Sequence, residues 1–509
     1  MITTLFWVPR GTAAAAASVP LETASEPDDA ASHSSEDCSD GERTSDAAEV
    51  GLEQVLTLPD DFWETSDPNL HKHKLDWEQQ DIEDERFQQE DWVLFAGRLY
   101  EDDSCGFEVC VVERPDVECC AKPLSWEAID TNIYVHHDGI LAAPPLSSAY
   151  TDYDGRCLAA VGTFAPTVEL WDLVQMNAVE PLMILDTVAA AQTSPSLGHN
   201  AAVKQRTRNA QHRLTRDLQR KRKRPSGDRS QGGSTAASAS GVLCLGFHPR
   251  ERWMLAAGSA TGHIHFWDIR DGACVVTLPD LHRDKPQALA WHPLQHSLLL
   301  TAGFDRRACL VDLRAHSLHS AASGEIQLTR DPEQVLWRSE NQCLLSDEGG
   351  SISAFDIRRI GKTETALLWR FQACRDRPAL MTLAPTVPDM LVVGSTDGHL
   401  RVYDLSMLEH CGGVSATEAS KAPQWTPLAQ VNAHAGALFA VESCPDEVFG
   451  FGVACGGSKG ILTVVDVAES APQVLQHFRG RASRSAAEVG ARLACIDSLE
   501  ESGSLDVDK

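Results

Sequence analysis

The sequence predicts an all-β protein built from repeated small sheets, and the spacing of its aspartates is the first reason. Six strand-like segments end in aspartate, at Asp172, Asp268, Asp312, Asp356, Asp404 and Asp466. The intervals between these aspartates are 96, 44, 44, 48 and 62 residues. Apolar segments that end in Trp-Asp about every 40–45 residues are typical of WD-repeat β-propellers. The second reason is an earlier strand pair with a His-Pro turn, which begins at Val242 and again at Gln287.

The number of blades follows from the first strand of each repeat. A sheet of about 40 residues has two apolar faces that only neighbouring blades can bury, so one repeat cannot fold alone. At the N-terminus, ITTLFWVPRG matches a first strand and turn, and DWVLFAG from Asp91 matches a second strand. The third strand is expected at Phe107 to Val112 and the outer fourth strand at Asn132 to His137. First strands then begin near Ile2, Leu146, Val242, Gln287, Gln334, Ala379 and Ala437. The predicted fold is therefore a seven-bladed WD40-type β-propeller.

The predicted domain organisation places two long insertions within the propeller. It assigns residues 1–9 to the first strand, 10–90 to an acidic, largely disordered insertion, 91–188 to blades 1 and 2, 189–240 to a basic low-complexity insertion, 241–478 to blades 3 to 7, and 479–509 to a C-terminal tail. We expect Val474 to Phe478 to form the outer strand of the last blade. We also expect the ring to close by packing between its first and last blades rather than by a shared blade.

The acidic insertion has two parts of different composition. Residues 22–49 hold ten carboxylates and one arginine. Such a segment has too little apolar surface to fold into an ordered structure. Ser34 and Ser39 each precede an acid by three residues, which suits an acid-directed kinase, and a solvated acidic linker is the alternative. Residues 60–91 interleave aromatics with acids and glutamines. Trp63, Trp77 and Phe87 are candidate anchors for a partner, unless these rings dock on the flank of the propeller.

The basic insertion contains a dense run of cations in a chain whose net charge is −29. The run comprises Lys204, Arg206, Arg208, Arg213, Arg216, Arg220, Lys221, Arg222, Lys223 and Arg224. Such a run serves as a nuclear localisation signal, a nucleic-acid contact or both, and a solvated loop is the alternative. Because the rest of the chain is acidic and repels phosphate, contact with nucleic acid should be local to this run. The acidic surface could instead receive basic protein tails.

No catalytic, metal or cofactor site is predicted. Gly361-Lys362-Thr363 lacks the earlier glycine that a phosphate-binding loop requires. His136 and His137 are adjacent in a strand, so their side chains point to opposite faces and do not suit joint metal ligation. The 15 cysteines include no CxxC pair, which favours a reducing compartment. Without a run of about 20 apolar residues, the protein is expected to be soluble and intracellular.

Several repeat residues are predicted to have structural roles. Asp305 and Asp397 precede third strands, where a carboxylate can accept amide hydrogen bonds and pair with a histidine, either His282 or His434. Tryptophans at the strand ends should be buried between blades. The predicted structural set is Trp171, Asp172, Trp267, Asp268, Asp305, Asp312 and Asp397.

Segments outside the regular repeat resemble one family of WD-repeat proteins. They are the start MITTLFWVPRG, the segment YVHHDGIL, the strands AVGTFAPTVELWDL with VEPL, the Lys/Arg-rich insertion after them, and the ending FGFGVACGGSKGILTVVDV followed by HFRGR. This set resembles the periodic tryptophan protein 1 family over nearly the whole propeller. The regions around Asp356 and Asp404 diverge most.

The resemblance implies a non-enzymatic scaffold of the nucleus and nucleolus. It implies a role in assembly of the large ribosomal subunit and in precursor ribosomal RNA processing, with pre-ribosomal particles, their RNA and their assembly factors as partners. The protein would act as a monomer within a large complex. Members of the family are also linked to chromatin and ribosomal RNA transcription, so a propeller that binds histone tails is the alternative.

Overall fold

A computed structural model describes residues 1–17, 86–113, 132–176, 178–193, 241–279, 281–314, 322–360, 366–375, 377–409 and 425–482. The chain divides into two compact units, Met1–Ala16 with Gln88–Lys509, and Ala17–Phe87. Of the second unit only Ala17, Arg86 and Phe87 are described. The propeller lies in the first unit.

The described strands form seven antiparallel sheets, or blades, each made of strands consecutive in the chain. Blade 1 has β1 (Ile2–Val8), β2 (Trp92–Leu99), β3 (Cys105–Glu113) and β4 (Asn132–Ile140). Blade 2 has β5 (Pro145–Tyr153), β6 (Arg156–Thr163), β7 (Thr167–Asp172) and β8 (Met183–Asp186). Blade 3 has β9 (Val242–Phe247), β10 (Met254–Ser259), β11 (Ile264–Asp268) and β12 (Ala273–Leu278). Blade 4 has β13 (Pro286–Trp291), β14 (Leu298–Gly303), β15 (Arg307–Asp312) and β16 (Ala322–Gln327).

The remaining three blades complete the predicted seven-bladed propeller, which is thereby confirmed. Blade 5 has β17 (Pro332–Trp337), β18 (Gln342–Asp347), β19 (Ser351–Asp356) and β20 (Leu367–Gln372). Blade 6 has β21 (Ala379–Leu383), β22 (Met390–Ser395), β23 (His399–Asp404) and β24 (Ala429–Asn432). Blade 7 has β25 (Leu438–Ser443), β26 (Gly452–Gly457) and β27 (Leu462–Asp466). The described helices are short: Thr12–Ala17, Thr187–Thr193, Leu405–Glu409, Val467–Ser470 and Pro472–Phe478, with a 3-10 turn at Ile357–Arg359.

The ring closes as expected, by packing of blade 1 against blade 7. The first strands of successive blades contact one another around the ring, and β25 contacts β1. Trp7 of β1 donates its indole N–H to the Glu442 carbonyl of β25 at 3.2 Å. A side chain at Gly456 would collide with that of Ile2, and a Cβ at Gly394 would lie 2.5 Å from Val441 Cγ2 of the next blade. Glycine near the end of a second strand therefore lets the next first strand approach closely.

The hydrophobic core is divided among the interfaces between blades. One cluster joins blades 2 and 3, and others join blades 3 and 4, 4 and 5, 5 and 6, 6 and 7, and 7 and 1. Second strands such as β14 and β22 are buried along their whole length. Because both faces of these strands contact other blades, their sequences are continuously apolar rather than alternating. Fully burying one Leu or Val contributes about 1.5–3 kcal/mol, so each of these six interfaces stabilises the ring.

The end of blade 7 differs from the prediction. Val474 to Phe478, expected as an outer strand, lies in the helix Pro472–Phe478. Proline at the first position favours a helix start, and Val474, Leu475 and Phe478 are buried at helical spacing. The helix packs into the cluster between blades 6 and 7. Among the described residues, blade 7 has three strands where the other blades have four.

Candidate interaction surfaces

Three repeat aspartates hold the turn that follows their strand by the same contacts. Each accepts the backbone N–H of the residue two positions on, at 3.0 Å, and a guanidinium N–H of the arginine at that position, at 2.6–2.8 Å. These hydrogen bonds from arginine hold the pKa of each carboxyl below its usual range. The pairs are Asp268–Arg270, Asp312–Arg314 and Asp356–Arg358.

Asp404 has no arginine two residues on. Its arginine partner is Arg481, near the end of the described residues. Ser406 stands two residues on from Asp404 and donates its hydroxyl at 2.7 Å. Arg481 donates to both oxygens of Asp404, at 2.9 and 2.6 Å, and His477 Nε2 lies 2.7 Å from Oδ2. Burial opposes ionisation of Asp404, but these hydrogen bonds outweigh it and hold its pKa well below the usual range. The C-terminal HFRGR segment thus fixes the turn after β23.

The predicted tryptophans lie between blades. Trp171 is 1% exposed, stands edge-on to Phe107 of blade 1 at 5.1 Å, and donates its indole N–H to Glu169 at 3.2 Å. Trp267 is 4% exposed in the cluster between blades 2 and 3. Beside Trp171, Asp172 accepts the Val174 N–H at 3.1 Å, and burial raises the pKa of Asp172. The two tryptophans are buried and stabilise the ring, whereas Asp172 is half-buried.

Asp305 and Asp397 hold their turns by different partners. Asp305 lies 3.0 Å from His282 Nδ1, and the other nitrogen of His282 lies 2.9 Å from Thr301 Oγ1. Asp397 instead pairs with Arg401 of its own blade. The expected pairing of Asp397 with His434 is therefore wrong.

His434 fails to reach Asp397 because it follows blade 6 in the chain and precedes blade 7. The corresponding aspartate position of blade 7 is Lys459, whose Nζ donates to the His434 carbonyl at 3.2 Å. His282 and His434 each contact the blade that follows them in the chain, through Asp305 of blade 4 and Lys459 of blade 7.

The His-Pro turns join neighbouring blades. His248 Nε2 lies 2.8 Å from the His296 carbonyl of blade 4, and His292 Nε2 lies 2.7 Å from the Glu340 carbonyl of blade 5. The Nδ1 atom of each ring accepts backbone N–H groups of its own turn. Since Nδ1 accepts, Nε2 is the nitrogen that donates to the carbonyl of the neighbouring blade.

Most residues predicted to contact partners lie outside the described ranges. This holds for Trp63 and Trp77 and for the basic run from Lys204 to Arg224. Phe87 is described and is only 6% exposed. The role of Phe87 as a partner anchor stays a prediction.

A cleft that the sequence did not reveal lies between the outer parts of blades 5 and 6. Its cavity volume is about 300 Å³, and its lining includes Arg375, Arg377, Arg401 and Trp425. Arg375 and Arg377 are exposed. Arg401 is ion-paired with Asp397. Guanidinium groups beside an aromatic ring suit carboxylates, phosphates or stacked bases. The only sequence signal was the pair of arginines in CRDRP, which has no distinctive spacing.

The described residues contain no group of three or more His, Cys, Asp or Glu side chains that could hold a metal ion. None of the helices in the described ranges has the length and apolar character needed to cross a membrane.

Comparison with known proteins agrees with the fold. Residues 232–268 match the family model of the WD domain, G-beta repeat. The chain is 29% identical to Periodic tryptophan protein 1 of Saccharomyces cerevisiae over 243 residues, which cover 45% of this chain and 37% of that protein. It is 23% identical to the Periodic tryptophan protein 1 homolog of Drosophila melanogaster over 340 residues, or 65% of this chain and 61% of that protein. An uncharacterized WD repeat-containing protein of Schizosaccharomyces pombe is 26% identical over 415 residues, covering 79% of this chain and 67% of that protein.

The seven blades and the repeat match define the chain as a WD-repeat β-propeller protein. Within that class, its resemblance to the periodic tryptophan protein 1 family is confirmed. The matched regions span 37% and 61% of the yeast and fly relatives.

Proposed function

We propose that this protein is a non-enzymatic scaffold of the nucleolus that takes part in assembly of the large ribosomal subunit. The observation that carries the proposal is the similarity to Periodic tryptophan protein 1 of yeast and fly. Pre-ribosomal particles, through their RNA and assembly factors, are the proposed partners.

The basic run from Lys204 to Arg224 is the proposed contact with RNA or the import signal. Ten cations within 21 residues can neutralise several phosphates, which an otherwise acidic chain of net charge −29 would repel. Trp63 and Trp77 in the acidic insertion are the proposed anchor for a protein partner.

Import and RNA contact can be separated with one pair of variants. In the first, all ten Lys and Arg of the run are replaced by Gln. In the second, the same replacements are combined with an unrelated nuclear localisation signal at the C-terminus. If the run contacts RNA, the second variant enters the nucleus but crosslinks to precursor ribosomal RNA at least tenfold less than the unmodified protein.

Two results would decide against parts of the proposal. Full crosslinking by the second variant would limit the run to import. Sedimentation of the tagged unmodified protein only as free monomer, without precursor RNA of the large subunit, would overturn the ribosomal role itself.

The alternative is a chromatin-bound propeller that receives basic histone tails, favoured by the net charge of −29. Nuclease treatment of nuclear extracts distinguishes the two. Release of the protein by RNase alone supports the ribosomal role, whereas release by DNase alone supports chromatin.

A further inference from the structure

The first strands of the blades share an irregularity at the end of the ring where they begin. In six of the seven, the pairing with the second strand shifts at the second residue, as in a β-bulge. None of the seven second residues is buried, although the first residue of each strand is. Bulges are frequent next to functional sites because they re-aim a side chain. The second residues are Thr3, Leu146, Leu243, Gln287, Glu333, Leu380 and Phe439, of which only Leu380 is regularly paired.

These seven residues surround one opening of the central channel, and we call them the entry ring. They hold equivalent positions in the first strands, which are innermost and contact one another around the propeller. From blade 5 to blade 7 the entry ring runs from Glu333 through Leu380 to Phe439. Phe439 is 38% exposed and Leu380 is half-buried. The opening therefore has an apolar arc beside a carboxylate.

Glu333 is the one charged member of the entry ring. Its half-buried carboxylate forms no hydrogen bond or ion pair among the described residues. Burial, followed by the nearby carboxylates Glu348, Asp331 and Asp347, raises the pKa of Glu333 to about 7. A cation at this carboxylate would offset both effects.

The surroundings of Glu333 supply no such cation. Asp331 is ion-paired with Arg306 at 2.8 Å, and Asp347 with Arg370 at 2.7 Å. The first strands on either side, β13 and β21, contain no charged residue. The loops that lead into β13, β17 and β21 carry exposed cations that do not shift the pKa of Glu333, namely Arg283, Lys285, Arg330, Arg375 and Arg377.

A basic side chain fits the opening better than a metal ion does. A metal would need further ligands, and the described residues contain no group of three that could hold one. The stem of a Lys or Arg covers apolar surface while its charged end pairs with a carboxylate. Complementary charge also disfavours acidic competitors.

We propose that the entry ring binds an extended segment of a partner protein through two neighbouring side chains. A Lys or Arg of the segment pairs with Glu333, and an apolar side chain next to it packs on Leu380 and Phe439. The inference does not rest on the ribosomal role, because it concerns the chemistry of the segment and not the particle that carries it.

The first test uses the full-length protein and the synthetic peptide Ala-Ala-Arg-Leu-Ala-Ala, blocked at both ends. Methyl NMR follows Leu146, Leu243 and Leu380 of the entry ring. Leu294 is the control, since it is 58% exposed and lies in the turn at the opposite end of β13. The peptide should shift the Leu380 signal in a saturable way and leave Leu294 unchanged. No shift in the entry ring, or equal binding of a peptide with Glu in place of Arg, would overturn the proposal.

Substitutions supply the second test. Glu333→Gln removes the charge at constant size and should weaken binding of the Arg peptide at least tenfold. The matched control is Glu442→Gln, which changes a half-buried carboxylate near the other end of the first strand β25 and should bind within about twofold of the unmodified protein. Equal affinity of the two variants would contradict the pairing with Glu333.

The pH dependence of binding is the third test. A carboxylate with a pKa of about 7 is about one-tenth ionised at pH 6 and about nine-tenths at pH 8. Affinity for the Arg peptide should therefore rise about tenfold from pH 6 to pH 8 in the unmodified protein, and Glu333→Gln should abolish this rise. The same rise in Glu333→Gln would show that another group controls binding.

Two other occupants of the opening would each overturn the proposal. If replacing the ten cations of residues 204–224 with Gln shifts the entry-ring signals without peptide, the basic run of the chain itself occupies the opening. If the signals change with protein concentration and light scattering reports a dimer, a second copy occupies it. Thermal unfolding of Glu333→Gln checks its fold, and the peptide titration of the unmodified protein needs no variant.

Discussion

Asp404 shows, at the scale of single residues, how a missing repeat residue is replaced from a distant part of the chain. Three repeat aspartates find their arginine two residues on, a pattern visible in the sequence as Asp-x-Arg. Asp404 finds its arginine at Arg481, 77 residues away. Proximity in the chain made the first contacts predictable, whereas the second depends on where the last helix packs.

Replacing Arg481 with alanine should destabilise the propeller measurably. The Asp404 side chain is 2% exposed, so the variant leaves a buried carboxylate without its strongest partner. Loss of hydrogen bonds to a charged group costs about 2 kcal/mol. The matched control is Arg314→Ala, because the Arg314 side chain is 71% exposed and an exposed ion pair contributes less than about 1 kcal/mol. Urea unfolding that shows equal effects for both variants would contradict the proposed importance of Arg481.

His265 should make stability depend on pH between about 6.5 and 4. Its ring is fully buried with Nδ1 3.0 Å from Thr277 Oγ1, and burial, with a smaller effect of His263, lowers its pKa to about 4. The unfolded chain binds a proton near pH 6.5 and the folded chain does not, so acid favours unfolding across this window.

The variant His265→Asn isolates this effect, since an amide can keep the hydrogen bond to Thr277 and does not titrate. The slope of unfolding free energy against pH should be smaller in the variant by up to one proton between pH 6.5 and 4. His137 and His248 also have lowered pKa values and contribute equally to both proteins. Identical slopes would show that His265 does not titrate in this window.

At the scale of elements, the sequence predicted strands better than it predicted the end of the ring. The first strands begin within two residues of their expected positions, because the repeat period fixes where each blade starts. The prediction of a strand from Val474 to Phe478 is wrong because a short apolar run can form either a strand or a helix. Pro472 and the buried spacing of Val474, Leu475 and Phe478 are the signals that favour the helix.

The helix Pro472–Phe478 should be an integral part of the fold rather than an appendage. Val474, Leu475 and Phe478 are at most 4% exposed, and burying each contributes about 1.5–3 kcal/mol. A chain ending at residue 482 should match the full chain in thermal unfolding. A chain ending at residue 470 should lose about 4.5 kcal/mol or more, the sum of the lower values for the three side chains. Equal stability of the two truncated chains would place the helix outside the cooperative unit.

At the scale of the whole molecule, the repeat period determines the scaffold and the irregular intervals locate what is attached to it. Seven blades were predictable because every repeat must bury the faces of its neighbours. The cleft between blades 5 and 6 was not predictable, since it depends on two segments brought together by the ring. The roles of the basic run and of Trp63 and Trp77 remain predictions.

The division of charge between the basic run and the acidic remainder leads to a prediction about salt. If all ten cations of residues 204–224 engage phosphates of a short single-stranded RNA, log Kd should rise with log salt concentration with a slope of about 7, from about 0.7 per phosphate. Replacing the five residues 220–224 with Gln should halve that slope, because each lost contact releases one counterion fewer. Replacing instead five exposed arginines on the blades, Arg314, Arg358, Arg359, Arg375 and Arg377, should leave the slope unchanged. Fluorescence anisotropy from 50 to 200 mM salt measures the Kd for RNA of all three proteins. A slope that falls only in the blade variant would show that the propeller, not the insertion, contacts the RNA.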